Sequence, residues 1–170
     1  MSERRFAREL GPEVDGAARR AFLVPTILFA DASEEYRAMA RDALLEGRSP
    51  SDLRFATDGL DLLDYLNSRG PHEDPIRAPR PALIILDLNL PKVDSLEAVR
   101  VIKSNADLRR IPVVALADDD DPAAVVRAYD AGVNTYLAKP VTFLALVKLM
   151  KIFTAYWLDT AVLPPPAEAL

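Results

Sequence analysis

Beyond an irregular first stretch, short apolar runs alternate with longer amphipathic segments along the chain. FLVPTILFA, LRFAT, ALIIL, PVVALA and NTYLA are each followed by residues with helical spacing. That alternation is the signature of repeated βα units and predicts five strands and five helices. The run Leu83 to Leu86 is apolar at every position rather than at alternate ones, as suits the middle of a parallel sheet covered by helices on both sides. The fold class that follows is a doubly wound α/β sandwich.

Punctuation supports this division. Ser33 stands before EEYRAMARDALLEG, and Asp94 with Glu97 makes a capping-box-like start to SLEAVRVIKSN. Gly47, Gly70 and Gly132 fall near helix ends, where a left-handed residue is easiest to supply. NSRGPHEDPIRAPRP, residues 67–81, reads as a surface loop before the third strand. Residues 1–22 read as an N-terminal arm, 23–158 as the domain, and 159–170 as a tail.

Length and composition narrow the function classes. A chain of 170 residues, 50% hydrophobic, can bury one substantial core. Its net charge of -5 offers no basic surface for a nucleic-acid backbone, so no nucleic-acid partner is expected. Without cysteine there is no disulfide framework, thiolate chemistry or cysteine-ligated zinc. The single histidine, His72, reads as a solvated loop residue. The apolar runs are well short of the roughly 20 residues that span a bilayer, and residues 1–20 lack a secretion-signal core, so a soluble cytoplasmic protein is expected.

Three ionisable residues end apolar runs: Asp31 after TILFA, Asp87 after ALIIL and Lys139 after NTYLA. Parallel strands all point one way, so these three should meet at the carboxyl edge of the sheet, where open α/β folds place their ligands. Two carboxylates in a partly dry crevice repel each other unless a cation lies between them. With oxygen donors only, Mg²⁺ is the natural occupant, and Asn89 could add its backbone carbonyl. A metal-bound Asp87 beside Lys139 could attack a phosphoryl group and become an aspartyl phosphate. Singly, each acid could equally end a strand and cap the next helix.

At these residues the sequence resembles the receiver (CheY-like) domain of two-component response regulators over about residues 24–158, through ILFADAS, TDGLDLLDYL, LIILDLNLPKVDS, IPVVAL and NTYLAKPV. The resemblance implies a flavodoxin-like five-stranded sheet of strand order 2-1-3-4-5. It also implies Asp87 as phosphoacceptor, Asp31 and Asn89 as Mg²⁺ ligands, Lys139 as the phosphate partner and Tyr136 as the switch aromatic. The loop before LIILDLNLP, the SNADLRRIP segment and the ending YWLDTAVLPPP are similar to single-domain regulators that work with bacterial phytochromes and related histidine kinases. A histidine kinase partner and signalling by protein–protein contact are then implied, with no DNA-binding output following the receiver.

The chain departs from that pattern at two functional positions. Ala30 stands where a second acid is usual, and Ala117 where the switch hydroxyl is usual. Loss of a hydrogen bond to a charged acceptor removes roughly 1.5–3 kcal/mol, so a receiver-fold adaptor that no longer depends on phosphorylation is the alternative. Asp118 to Asp121 read either as a solvated run leading into a helix at Pro122 or as a source of a replacement oxygen. A phosphohydrolase with a D-x-D nucleophile motif is disfavoured because Asn89 cannot act as a general acid.

In TFLALVKLMKIFTAYWLDTAV, the stripe Phe143, Leu146, Val147, Met150 and Phe153 should face the sheet. Leu149, Ile152, Phe153, Tyr156 and Trp157 are the candidate contacts of a homodimer through this helix. A folded-back N-terminal arm is the other possible cover.

Overall fold

The three central strands of the sheet carry one row of side chains toward each helical layer, which is why their apolar runs show no alternation. The computed structural model describes residues 24–47 and 50–165, and the expected arm, residues 1–22, lies outside them. The order along the chain is β1 (Thr26–Ala30), α1 (Glu34–Glu46), β2 (Asp52–Ala56), α2 (Gly59–Leu66), β3 (Leu83–Asp87), α3 (Ser95–Ser104), β4 (Val113–Ala117), α4 (Pro122–Ala131), β5 (Thr135–Ala138) and α5 (Phe143–Thr154). All strands are parallel, in the order β2-β1-β3-β4-β5. The predicted doubly wound sheet is the one observed.

On one face Ile27, Phe29, Leu83, Ile85, Val114 and Leu116 meet α1 and α5 through Ala40, Ala43, Leu44, Leu146, Met150 and Phe153. On the other, Leu28, Ile84, Leu86 and Ala115 meet α2, α3 and α4 through Leu62, Leu66, Val99, Ile102 and Ala128. The helices start where the capping residues predict: the side chains of Ser33 and Asp94 accept from Tyr36 N–H and Glu97 N–H. Asp121 caps α4 at Ala124 N–H with Pro122 in the first turn, so the acidic run is a solvated helix start.

Several expectations need correction. Of the three glycines, Gly132 alone is a left-handed helix cap, with φ 107°; Gly47 stays right-handed at φ -69°, and Gly70, φ 57°, opens a 3-10 turn. Loop 67–81 lies at the surface as expected, tethered to α2 through His72. His72 is not solvated: its side chain is 16% exposed, Nε2 lies 2.6 Å from Asp61 Oδ1, and the ring packs 5.0 Å from that of Tyr65. Phe143 does not face the sheet, being 41% exposed, because Leu146, Met150 and Phe153 set the helix rotation. The last helix is not continuous either; residues 155–160 widen into a π-helical turn closed by Ala161 N–H on Tyr156 C=O.

Candidate functional site

The ladder runs one residue past several strands, and this positions the charged groups. Asp31 N–H donates to Ala56 C=O, Leu88 N–H to Leu116 C=O, and Lys139 N–H to Ala117 C=O. Asp31, Asp87 and Lys139 therefore leave the sheet at the same edge, held by backbone rather than by long loops. The expected convergence is real: Lys139 Nζ lies 2.7 Å from Asp31 Oδ2 and 3.0 Å from Asp87 Oδ2.

The two carboxylates are oriented alike. Asp31 Oδ1 accepts from Ser33 N–H at 2.8 Å, and Asp87 Oδ1 accepts from Asn89 N–H at 3.1 Å. Each acid is thus anchored by the N–H two residues on, which turns both Oδ2 atoms toward one point. The ammonium hydrogen-bonds Asp87. Its approach to Asp31 is close but misdirected, an ion pair that leaves Asp31 Oδ2 buried with no hydrogen bond. Burial pulls the Lys139 ammonium down, but the two carboxylates outweigh it and hold its pKa above the ordinary lysine value. Asp31 and Asp87, 1% and 5% exposed, carry two negative charges against one positive. A net charge of -1 remains in a buried crevice.

This residual charge is what a hard cation would satisfy. Among the described residues no group of three or more His, Cys, Asp or Glu side chains surrounds one point. Ala30 is fully buried in the core and has no carboxylate to offer. A divalent ion would have Asp31 and Asp87 as its carboxylates, with backbone carbonyl and water completing the shell, and this donor set fits Mg²⁺.

Asp118 is exposed and does not enter the crevice; its Oδ2 accepts from the Asn89 side-chain amide at 2.8 Å. Ala117 is buried at the end of β4, with no hydroxyl to offer. Tyr136 is half-buried, its hydroxyl donating to Asp119 C=O at 2.8 Å, which ties β5 to the loop after β4. Ser95, the first residue of α3, is 1% exposed and donates to Asp87 C=O at 2.8 Å while accepting from Leu90 N–H. It therefore braces the turn that carries Asp87 and Asn89.

Three contributors were missed in the sequence. Arg37 Nη1 donates to Asp31 C=O at 2.6 Å, and the Tyr36 ring lies 4.3 Å from Lys139 Nζ. Asp58, 5% exposed, receives Lys92 Nζ at 2.6 Å, joining α2 to the turn after β3. Burial opposes ionisation of Asp58, yet Lys92 and two backbone N–H groups hold its pKa below the ordinary aspartate value. At the other end of the chain, Phe153 is 4% exposed in the core, and Leu149 and Trp157 pack partly against it. Of the proposed dimer contacts, Ile152 and Tyr156 are openly exposed, at 61% and 57%.

Comparison with known proteins gives a consistent result. The model of the response regulator receiver domain matches residues 27–151. Response regulator Rcp1 of Synechocystis sp. (strain ATCC 27184 / PCC 6803 / Kazusa) is 36% identical over 138 residues, covering 81% of this chain and 92% of that protein. The phosphorylated cyanobacterial phytochrome response regulator RcpA superposes with a TM-score of 0.77 at 33% identity, over 84% of this chain and 100% of that one. The Mn²⁺-bound form of response regulator Rcp1 gives 0.74 at 35% identity, over 83% and 99%. Among the described residues no helix is long and apolar enough to cross a membrane.

Proposed function

The chain belongs to the response regulator receiver family, and from that premise we propose that it takes a phosphoryl group from a kinase phosphohistidine onto Asp87. The observation that carries this reading is the seating of Lys139 Nζ between the Oδ2 atoms of Asp31 and Asp87, at 2.7 and 3.0 Å. In the transfer, an Asp87 oxygen bonds to phosphorus as the phosphorus–nitrogen bond to histidine breaks and the imidazole departs with its electron pair. Lys139, already hydrogen-bonded to Asp87, reaches an oxygen of a group attached there and offsets its charge. Ser95 and Asn89 hold the Asp87 backbone and its second oxygen in place.

Mg²⁺ is the proposed cofactor, held by Asp31, Asp87 and the Asn89 carbonyl, and it would neutralise charge on the transferring group. The Mn²⁺-bound and phosphorylated relatives support this chemistry. RcpA, a phytochrome response regulator, makes a bacteriophytochrome-type histidine kinase the proposed donor. The protein is then a phosphoacceptor that signals by protein contact, not an enzyme acting on external substrates. Ile152 and Tyr156 are proposed to carry a homodimer contact, since they are the apolar residues of the predicted set left openly exposed.

Ala30 and Ala117 favour a second reading, a receiver-fold adaptor independent of phosphorylation, because a metal-site acid and the switch hydroxyl are both replaced by methyl groups. The two readings separate on intact mass after incubation with acetyl phosphate and Mg²⁺. A gain of one phosphoryl group that vanishes in Asp87→Asn is expected. No gain, with acetyl phosphate or with a phytochrome-type kinase, rejects the phosphoacceptor and leaves the adaptor.

A further inference from the structure

Resting on the phosphoacceptor reading, we propose that Tyr36 is a positioning residue for Lys139, its ring forming the third wall of the ammonium's seat and its hydroxyl anchoring the turn that carries the lysine. The ring centroid lies 4.3 Å from Nζ, while Asp31 and Asp87 supply the two charged walls. Tyr36 Oη donates to the carbonyl of Pro140, the residue after Lys139, at 3.1 Å. One side chain thus holds both the ammonium and the backbone behind it.

Tyr36 is itself well fixed. Its N–H is bound by the Ser33 side chain, and its ring lies 6.2 Å from that of Phe29 at an interplanar angle of 29°. Phe29 is 1% exposed in the core, so the ring's position is set by β1, the strand that also delivers Asp31. Burial and the nearby Asp31, Asp87 and Asp118 push the hydroxyl pKa well up, keeping it a neutral donor.

The need for such a wall follows from the edge position of Lys139. It follows β5, a four-residue edge strand whose last residue, Ala138, is exposed. When a cation or phosphoryl group enters between the carboxylates, the ammonium must give up at least one oxygen. An aromatic face attracts a cation without demanding a direction and without adding charge. It therefore keeps Nζ within reach of Asp87 during that exchange.

The test uses Tyr36→Phe, which keeps the ring and loses the hydroxyl, and Tyr36→Leu, which loses both. Seating under a ring shifts the Lys139 ε-methylene protons upfield, and in a chain with five lysines the ¹³C-lysine spectrum is simple enough to show it, with Lys139→Arg identifying the peak. The upfield shift should be present in the wild type and Tyr36→Phe and absent in Tyr36→Leu. Alongside it, the rate of labelling by acetyl phosphate should fall about 2- to 30-fold in Tyr36→Leu, and measurably but by less in Tyr36→Phe, which loses only the hydrogen bond to Pro140 C=O. A wild-type Lys139 signal at the position of free lysine overturns the proposal whatever the variants do, as does full-rate labelling of a folded Tyr36→Leu. If the wild type takes no phosphoryl group, the phosphoacceptor reading falls and the positioning role falls with it, while the spectrum still decides whether the ring seats the ammonium.

Discussion

Ala117 ends β4 with its side chain buried and its carbonyl bound to the N–H of Lys139. A hydroxyl at this position would stand beside the phosphoryl group proposed for Asp87, whereas a methyl group gives that group no partner. The hydrogen bond forgone is worth roughly 1.5–3 kcal/mol, or about 10- to 150-fold in the balance between resting and phosphorylated conformations. Ala117→Thr should therefore shift that balance toward the phosphorylated form, read from amide shifts on titrating beryllium fluoride with Mg²⁺. A variant whose shifts follow the wild-type curve would show that the hydroxyl has no such work to do here. At this scale Asp31, Asp87 and Lys139 were legible because each interrupts an apolar run at a strand end. Tyr36 and Arg37 were not, since on a helix beginning EEYR they look like its polar face until the helix is laid against β1 and β5. Ser95 opens the helix that Asp94 and Glu97 signal, but its bond to Asp87 C=O depends on how sharply the chain turns.

The turn after β3 is the element that most directly shapes the site. Lys92 takes φ 70° between Pro91 C=O and Val93 N–H, which are hydrogen-bonded at 2.9 Å, the pattern of a γ-turn. This tight geometry is held from α2: Gly59 N–H donates to Pro91 C=O, and Lys92 reaches Asp58. Gly59 is needed because a Cβ there would lie 2.4 Å from Val93 O and 2.8 Å from Val93 Cβ. Gly59→Ala should cost about 1–3 kcal/mol in denaturant unfolding, the range of overpacking, and weaken divalent-ion binding by displacing the Asp87–Asn89 turn. A fully stable Gly59→Ala would contradict the close approach. Strands and helix starts were readable from apolar runs and capping residues. The tethering of loop 67–81 through His72 and Asp61 was not, because the two lie 11 positions apart and meet only once the loop folds onto α2. The face of α5 was readable at Leu146 and Met150 but not at Phe143, the first residue of the helix, which the rotation set by the buried residues leaves exposed.

For the whole molecule, the sheet gathers one charge site at its carboxyl edge and leaves apolar side chains of the α5 end outward. Ile152 and Tyr156 are exposed beside Trp157, whose ring lies 5.1 Å from that of Tyr156. Aromatic groups of this kind are frequent anchors of subunit contacts, so light scattering should give twice the chain mass, and the double variant Ile152→Ser, Tyr156→Ser should return it to one. A wild-type monomer at micromolar concentration would remove the dimer and leave the site untouched. The site itself is best tested by where a phosphoryl group goes. After labelling with acetyl phosphate and Mg²⁺, borohydride reduces an aspartyl phosphate to homoserine, which peptide mass spectrometry locates. Homoserine at position 87 alone is the expected result; its appearance at Asp31 or Asp118 instead, or its absence throughout, would contradict the account.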